Sequence, residues 1–299
     1  MQNVSKAVTP LHSAQERWGP LMPQHLMPVV EQISASCWRL HNRGFDMNSG
    51  LVVGQERAAV IDTGSGPREA GGLYQAIRKI TDLPLVVVNT HAHGDHAFGN
   101  SYFAAHGVQD FYISAEAAEH LRERGEAERQ LVRFLEPEMA MGKGEYSRIL
   151  VPKNIVDESG VTLDLGSVTL EIFGRGQGHT GGDLLVRSGN ILFTGDLVEQ
   201  GGPPNFEDAD PFAWSTLLGA LEAECSSDTV VVPGHGHVVD KEFVGLQHRE
   251  MIAAIREGQE IIASRPAGRF DPTAYQLQIL PYGPEQSAIF LQRLVEIRP

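Results

Sequence analysis

The chain has 299 residues, which is enough for one or two domains of ordinary size. With 41% hydrophobic and 21% charged residues, its composition is that of a folded globular protein and excludes a disordered chain. Lys and Arg number 24 against 38 Asp and Glu, so the formal net charge is −14. A surface this acidic repels phosphate groups, so we expect a small-molecule substrate rather than nucleic acid or a membrane.

Further classes of protein are excluded by the small number of cysteines and by the absence of long apolar segments. The two cysteines, Cys37 and Cys225, are too few for a disulfide framework and lack the spacing of a zinc knuckle. The longest apolar run, Leu83 to Val88, is far shorter than the roughly 20 residues that a transmembrane helix needs. The first residues contain no apolar core of a signal peptide, so we expect a cytoplasmic protein.

The first part of the chain reads as an irregular arm followed by strands. Residues 1–32 carry four prolines without sustained periodicity and predict an irregular arm. Short apolar segments separated by turn residues then predict strands at Ile33–Leu40, Gly50–Val53 and Ala58–Ile61. A helix is expected to begin at Pro67, and the β-branched run Leu85–Val88 is typical of a strand buried on both faces.

The second part predicts a helical insertion and then a return to strands. A charged helical pattern marks an insertion at about 114–148 within a main domain of residues 33–240. Strands are then expected at Val161–Leu165, Val168–Phe173, Leu184–Val186, Ile191–Phe193 and Thr229–Val232. A helix is predicted at about Pro211–Glu224, and residues 241–299 predict a helical extension packed on the same domain.

The densest chemical signal follows the strand that ends at Val88. His91, His93, Asp95 and His96 place four possible metal ligands within six residues. Alternate residues of an extended segment share a face, so the first two histidines can converge on one ion. Gly94 then allows the backbone to turn and direct the other two side chains to a neighbouring point. Imidazole and carboxylate are ligands that suit Zn²⁺ and related divalent ions.

Three later positions extend this pattern. His179, Asp196 and His235 each lie beside a glycine near the end of an apolar segment. A single histidine or aspartate at a strand end is usually a capping or core group, but coincidence does not account for the whole set. We therefore predict a metal site, with Asp196 as a carboxylate able to bridge two cations.

Together these motifs resemble the metallo-β-lactamase-fold hydrolase superfamily. The resemblance rests on HAHGDH at 91–96, GHTGGD at 178–183, TGD at 194–196, PGH at 233–235 and VIDTG at 60–64. It covers about residues 33–240 and implies a four-layer αββα sandwich, in which two mixed β-sheets lie face to face between outer helices.

The resemblance also implies roles for individual residues. His91, His93 and His179 would hold one metal ion, Asp95, His96 and His235 a second, and Asp196 would bridge them. A water between the two ions would lose its proton near neutral pH and attack the substrate, with Asp95 orienting that nucleophile. Asp62 and Asp183 would hydrogen-bond ligands or pin the loops that carry them. His237 is interpreted as a loop residue.

Departures from subfamily patterns leave the subfamily unassigned. Cysteine-bearing β-lactamases place a thiolate where this chain has Asp196, which disfavours antibiotic hydrolysis. Glyoxalase II-like thioesterases share this ligand set, but they follow the DH pair with one residue and two glycines, whereas Ala97, Phe98 and Gly99 follow it here. Acyl-homoserine lactonases carry a tyrosine near the bridging aspartate, and residues 197–206 contain none.

Two segments are candidates for the substrate pocket. One is the glycine- and proline-rich loop Glu199–Asp210 with Phe206, and the other is the insertion with Phe134 and Met141. The plainer alternative is that these are surface-loop and helix-packing residues.

The sequence thus predicts a metal-dependent hydrolase acting on an ester, thioester, lactone or amide. The expected cofactor is two Zn²⁺ per chain, with Mn²⁺ or Fe²⁺ as alternatives. A mononuclear iron oxidoreductase resembling persulfide dioxygenases, using His91, His179 and Asp196, is the alternative. A metal-site protein that binds without turnover is a third possibility. The arm and the helical tail are candidates for contacts in a homo-oligomer.

Overall fold

Twelve strands form the centre of the computed structural model, which describes residues 27–264 and 271–297. The seven strands of the first half are β1 (Val29–Gln32), β2 (Cys37–Asn42), β3 (Met47–Val53), β4 (Ala58–Ile61), β5 (Leu85–Val88), β6 (Phe111–Ser114) and β7 (Asn154–Val156). The five of the second half are β8 (Val161–Asp164), β9 (Thr169–Gly174), β10 (Leu184–Ser188), β11 (Ile191–Glu199) and β12 (Val230–His235).

Each half is a mixed sheet. In the first, β3 pairs antiparallel with β2 and β4, and β4 through β7 continue in parallel. In the second, β11 and β12 are parallel, and β8 to β11 are antiparallel neighbours. The pair Met47–His235 joins the two halves at one edge.

Successive residues of single strands pack into different cores, which shows how the sheets are layered. In β5, Val86 and Val88 pack into a core shared with the second sheet, while Leu85 and Val87 pack against the helix that begins at Pro67. In β12, Val232 faces the first sheet and Val231 faces the helices on the other side. Since successive side chains point to opposite faces, the order is helix, sheet, sheet, helix. The predicted four-layer αββα sandwich is confirmed.

The helices of the first half begin with α1 (Pro67–Ile80), as the sequence predicted, followed by two short helices, α2 (Gly94–Ala97) and α3 (Asn100–Ala105). The insertion contains α4 (Ala115–Glu123), α5 (Gly125–Glu128), a 3₁₀ turn at Arg129–Val132 and α6 (Pro137–Ala140). The predicted helical pattern to about residue 148 ends earlier, since residues 141–148 contain no helix and glycines at 142 and 144 adopt positive φ just after α6.

The outer layer of the second sheet consists of α7 (Pro211–Glu224), α8 (Lys241–Ala263), α9 (Ala274–Ile279) and α10 (Gly283–Glu296). α7 has the predicted bounds, and Asp210 caps it by accepting hydrogen bonds from the N–H groups of Phe212 and Ala213. Residues of α8 and α10 pack in the same core as α7. No helix among the described residues is both long and apolar enough to cross a membrane.

The start of the fold differs from the prediction. Residues 1–26 of the predicted arm lie outside the described residues, but Val29–Gln32 pair with β2 as a strand. The predicted strand Ile33–Leu40 is interrupted, because the backbone turns back between Ile33 and Cys37, whose carbonyl accepts from the N–H groups of Ile33 and Ser34. β1 is exposed along its whole length, and its sequence VVEQ has no apolar alternation from which a strand could be predicted.

Candidate metal centre

Strand β5 delivers the first four candidate ligands to the edge where the two sheets meet. His91 lies in a bend three residues after the strand, and His93, in extended backbone, is the residue immediately before α2. Asp95 and His96 lie on α2, so the helical turn directs them away from the first two histidines. The predicted turn at Gly94 is therefore the start of a short helix.

The other three candidates reach the same edge from the second sheet. His179 lies in the loop between β9 and β10, Asp196 lies within β11, and His235 is the last residue of β12. Gly195, with φ of 51°, pairs with Pro233, and the register between β11 and β12 shifts on both sides of it, next to Asp196. An irregularity of this kind re-aims the following side chain.

One group of donor atoms comes from His91, His93, His179 and Asp196, which lie within 4.8 Å of one another. His93 Nδ1 is 3.0 Å from His179 Nε2. Asp196 Oδ2 is 3.6 Å from His91 Nε2 and 3.5 Å from His179 Nε2.

A second group comes from Asp95, His96 and His235, again with donor atoms within 4.8 Å. His235 Nε2 is 3.3 Å from Asp95 Oδ2 and 3.4 Å from His96 Nε2. Asp196 also reaches this group, since its Oδ1 is 3.2 Å from His96 Nε2 and its Oδ2 is 3.4 Å from His235 Nε2. The structure thus brings all seven predicted ligands together, with Asp196 between the two groups.

Each of three imidazoles is held through its Nδ1 atom. His96 Nδ1 donates to Asp62 Oδ2 at 2.8 Å, and His235 Nδ1 donates to the carbonyl oxygen of Phe45 at 2.8 Å. His91 Nδ1 is 3.0 Å from Thr90 Oγ1. A proton on Nδ1 leaves the lone pair on Nε2, which is the atom that faces the cluster in all three residues.

Asp62 has the orienting position that the resemblance implied. Besides His96, it accepts hydrogen bonds from the backbone N–H of Thr90 at 2.8 Å and from Thr90 Oγ1 at 2.7 Å. The Thr90 hydroxyl hydrogen therefore points to Asp62, and its oxygen is left to accept from His91. Asp62 itself has φ of 60°, a conformation that aspartate tolerates better than most residues.

Asp183 acts on a loop rather than on a ligand side chain. Its carboxylate accepts from the backbone N–H of Thr180 at 2.9 Å and from Thr180 Oγ1 at 2.6 Å, and so closes the turn that carries His179. Burial raises the pKa of Asp183 to about 7.

The chemistry of the cluster fits a divalent cation. His91 Nε2 and Asp196 Oδ1 are buried and have no hydrogen-bond partner among the described residues. Buried polar atoms are rarely left unsatisfied. Burial holds the pKa of His91 well below its ordinary value, so this imidazole is neutral and its lone pair is available. Nitrogen and carboxylate donors around a common point are what Zn²⁺, Mn²⁺ and Fe²⁺ bind.

The cluster opens into a cavity of about 570 Å³, called here the central cavity. Its lining residues are Phe45, His93, Gly94, Asp95, Arg124, Ala127, Glu128, Leu131, Val132, Asp196, Glu199, Asn205, Glu207, Asp208 and His235. The two segments predicted to shape the substrate pocket, the insertion and the Glu199–Asp210 loop, therefore both contribute walls of this cavity. Burial and the nearby Asp196 carboxylate raise the pKa of Glu199 to about 8.

The three residues predicted to line the pocket do not line it. Phe206 is fully buried and packs against Trp214, Tyr282 and Phe290 in the core between the second sheet and its helices. Phe134 and Met141 are 81% and 58% exposed and lie outside the cavity lining. Whether an apolar side chain in a loop faces the cavity, the core or solvent depends on the tertiary packing around it, so its position in the sequence does not predict it.

Several contributing residues had no individual signal in the sequence. Asp208 lies 3.0 Å from His93 Nε2, and Phe45 supplies a backbone carbonyl to His235. Arg124 and Leu131 reach the cavity from the insertion. His237 is exposed and its N–H donates to the Gln200 side chain, as expected of a loop residue.

The fold and site together define a four-layer αββα protein with a His/Asp metal-binding centre at the edge joining its sheets. The model of the metallo-beta-lactamase superfamily matches residues 43–237. The chain belongs to this superfamily.

Curated relatives within the superfamily have different names. "Hydroxyacylglutathione hydrolase" of Synechococcus sp. is 26% identical over 263 residues, 79% of this chain and 88% of that protein. "Metallo-beta-lactamase IND-1" of Chryseobacterium indologenes is 24% identical, covering 65% of this chain and 76% of that protein. "Acyl-coenzyme A thioesterase MBLAC2" of Gallus gallus is 31% identical, covering 54% and 61%.

Solved structures agree on the fold. A metallo-beta-lactamase from Pontibacter korlensis superimposes with a TM-score of 0.61 at 25% identity, covering 76% of this chain and 99% of that one. The DIM-1 metallo-beta-lactamase gives a TM-score of 0.59 at 21% identity, covering 79% and 100%.

Proposed function

We propose that this protein is a dinuclear metal-dependent hydrolase that cleaves a small carbonyl substrate. Its family and its His/Asp groups support metal-dependent hydrolysis in general. The observation that carries the dinuclear form is the position of Asp196, whose carboxylate lies within 3.6 Å of imidazole nitrogens in both groups.

In this proposal the two groups hold one divalent ion each. His91, His93 and His179 would hold the first, Asp95, His96 and His235 would hold the second, and Asp196, which contacts both groups, would contribute to both. Such ions supply a water that ionises near neutral pH and a Lewis acid for the carbonyl oxygen.

The protein's own residues orient the reactants. Asp95 lines the central cavity and contacts His235 through Oδ2, which supports a role for its other carboxylate oxygen in accepting a hydrogen bond from a nucleophilic water. Leu131, Val132 and Phe45 supply apolar cavity walls that exclude water from a bound acyl group.

The favoured substrates are esters, thioesters and lactones, followed by amides. The names of two relatives, a hydroxyacylglutathione hydrolase and an acyl-coenzyme A thioesterase, support the thioester class. Two divalent ions, Zn²⁺ before Mn²⁺ or Fe²⁺, are the proposed cofactor.

The test is elemental analysis of protein purified without added metal, followed by a panel of esters, thioesters and lactones. Two zinc ions per chain with turnover of a panel member is the expected result. A single iron per chain, with oxygen consumption on glutathione persulfide, would contradict the proposal and favour the dioxygenase alternative. Ions bound without turnover of any panel member would favour a non-catalytic binding protein.

A further inference from the structure

We propose that Asp208 is the positioning residue for His93, and that the Glu199–Asp210 loop thereby sets the affinity of one metal ion. The inference rests on the proposed function only in taking the cluster to hold metal. Its basis is a hydrogen bond between Asp208 and a candidate ligand that lies 115 positions away in sequence.

The hydrogen bond fixes which nitrogen of His93 can bind an ion. Asp208 Oδ2 lies 3.0 Å from His93 Nε2, and a carboxylate can only accept, so the imidazole proton lies on Nε2. The lone pair is then on Nδ1, the atom that lies 3.0 Å from His179 Nε2 inside the cluster. His93 is thus held in the opposite tautomer from His91, His96 and His235.

Asp208 is itself held in place from both sides of the loop. Two residues before it, the buried Phe206 ring packs in the core, and the Phe206 N–H donates to the Gln286 side chain. Two residues after it, the Asp210 N–H donates to the carbonyl of Gly178, next to His179. The loop is therefore anchored at both ends of the segment that presents Asp208 to His93.

The insertion contacts Asp208 from across the central cavity. Arg124 Nη1 lies 3.9 Å from Asp208 Oδ1. His120 and Glu128 hydrogen-bond to each other, and their donor atoms lie within 4.8 Å of the Asp208 carboxylate. The side chains of His120, Glu128 and Asp208 together also have the composition of a third cation site. We favour the positioning role because Asp208 Oδ2 already accepts from His93 and the Arg124 guanidinium lies beside Oδ1.

The test compares Asp208→Ala and Asp208→Asn with the wild-type protein by titrating the bound ions against a competing chelator. We expect Asp208→Ala to lower the affinity for one of the two ions by about 10- to 100-fold and to leave the affinity for the other unchanged. Asp208→Asn keeps a neutral acceptor for His93 Nε2 and should have a smaller effect. The visible spectrum of the Co²⁺-substituted protein should change in the same order, which a purely structural role for Asp208 would not produce.

A matched control is Glu222→Ala. Glu222 accepts a hydrogen bond from His248 at 3.2 Å and is about as exposed as Asp208, 31% against 27% of the side chain, but it lies on α7 away from the cluster. It should leave both ions unaffected. Circular dichroism melting of each variant reports whether it is folded.

The outcomes separate this inference from the proposed function. Wild-type binding of two ions with unchanged affinities in Asp208→Ala would overturn the positioning role alone. Three ions in the wild type and two in Asp208→Ala would make Asp208 a ligand and overturn it as well. A wild-type protein that binds no ion would overturn both proposals.

Discussion

Gly234 lies so close to Asp196 that a Cβ atom at position 234 would be 1.8 Å from Asp196 Oδ1. It would also lie 2.8 Å from the carbonyl carbon of Gly195, so moving the Asp196 side chain alone does not make room. Position 234 must therefore be glycine, because any side chain there would overlap Asp196 and Gly195 of the adjacent strand β11.

Gly234→Ala should consequently displace Asp196 from its place between the two groups. We expect kcat/KM on any turned-over substrate to fall by about 100-fold, since small displacements at a reacting centre have effects of this size. Overpacking should also lower the free energy of unfolding by about 1–3 kcal/mol. Steady-state kinetics and urea denaturation measure the two effects.

The control for this variant is Gly202→Ala, in the loop after β11. A Cβ at position 202 meets no atom within 4 Å, and its φ is not in the left-handed region. Its free energy of unfolding should stay within about 0.5 kcal/mol of the wild-type value. Equal effects of both substitutions would contradict the account of Gly234.

Asp62→Asn should weaken metal binding by the group that contains His96. Asparagine tolerates the φ of 60° at this position, but it replaces a charged acceptor for His96 Nδ1 by a neutral one. We expect about a 10- to 100-fold lower affinity for one ion, measured by chelator competition. Asp46→Asn, at another aspartate with φ of 59°, should leave both affinities unchanged.

Removing bound metal should lower the thermal stability of the protein. Ions that bind only the folded state stabilise it by about 2.7 kcal/mol at 100 times Kd. For a domain of this size we expect a chelator to lower Tm by about 5 °C or more, reversibly on adding zinc. Asp196→Ala should make Tm insensitive to the chelator, and a chelator-sensitive Tm in that variant would argue against Asp196 as a ligand.

Glu136 is expected to make the free energy of unfolding depend on pH. It is fully buried, and its carboxylate accepts from the N–H groups of Arg68 and Glu69 in the first turn of α1. Burial raises the pKa of Glu136 to about 7 from its ordinary 4.5. The folded state therefore binds more protons than the unfolded state between these values. The resulting stabilisation is complete below about pH 4.5 and is lost as pH rises through 7.

Glu136→Gln removes this titration. The variant should gain stability relative to the wild type by up to about 3 kcal/mol between pH 4.5 and 8, measured by urea denaturation of both proteins in the same metal state. The exposed Glu158→Gln gives the corresponding control and should show no such relative change. A constant difference between Glu136→Gln and the wild type over this range would contradict a raised pKa.

The strands and helices that were predicted most accurately are those with strong local signals. α1 and α7 each begin with a proline at the first position, and β5 is a continuous apolar run. The first strand was predicted at Ile33–Leu40, whereas the structure has β1 at Val29–Gln32 and β2 at Cys37–Asn42. β1 was missed because it lies exposed at a sheet edge and is stabilised by pairing rather than by burial. Hydrophobic periodicity in a sequence indicates which residues are buried, so an exposed strand such as β1 cannot be predicted from it.

The sequence by itself determined the candidate ligands, because His, Asp and Gly at strand ends are local features, and it indicated the layered fold through the resemblance of these motifs to a superfamily. Only the tertiary structure decided what surrounds those ligands. Asp208 reaches His93 because Phe206 enters the core instead of the cavity, and Phe45 meets His235 only through the joining of the two sheets. These contacts join segments more than one hundred residues apart, and their geometry depends on packing that no single segment encodes.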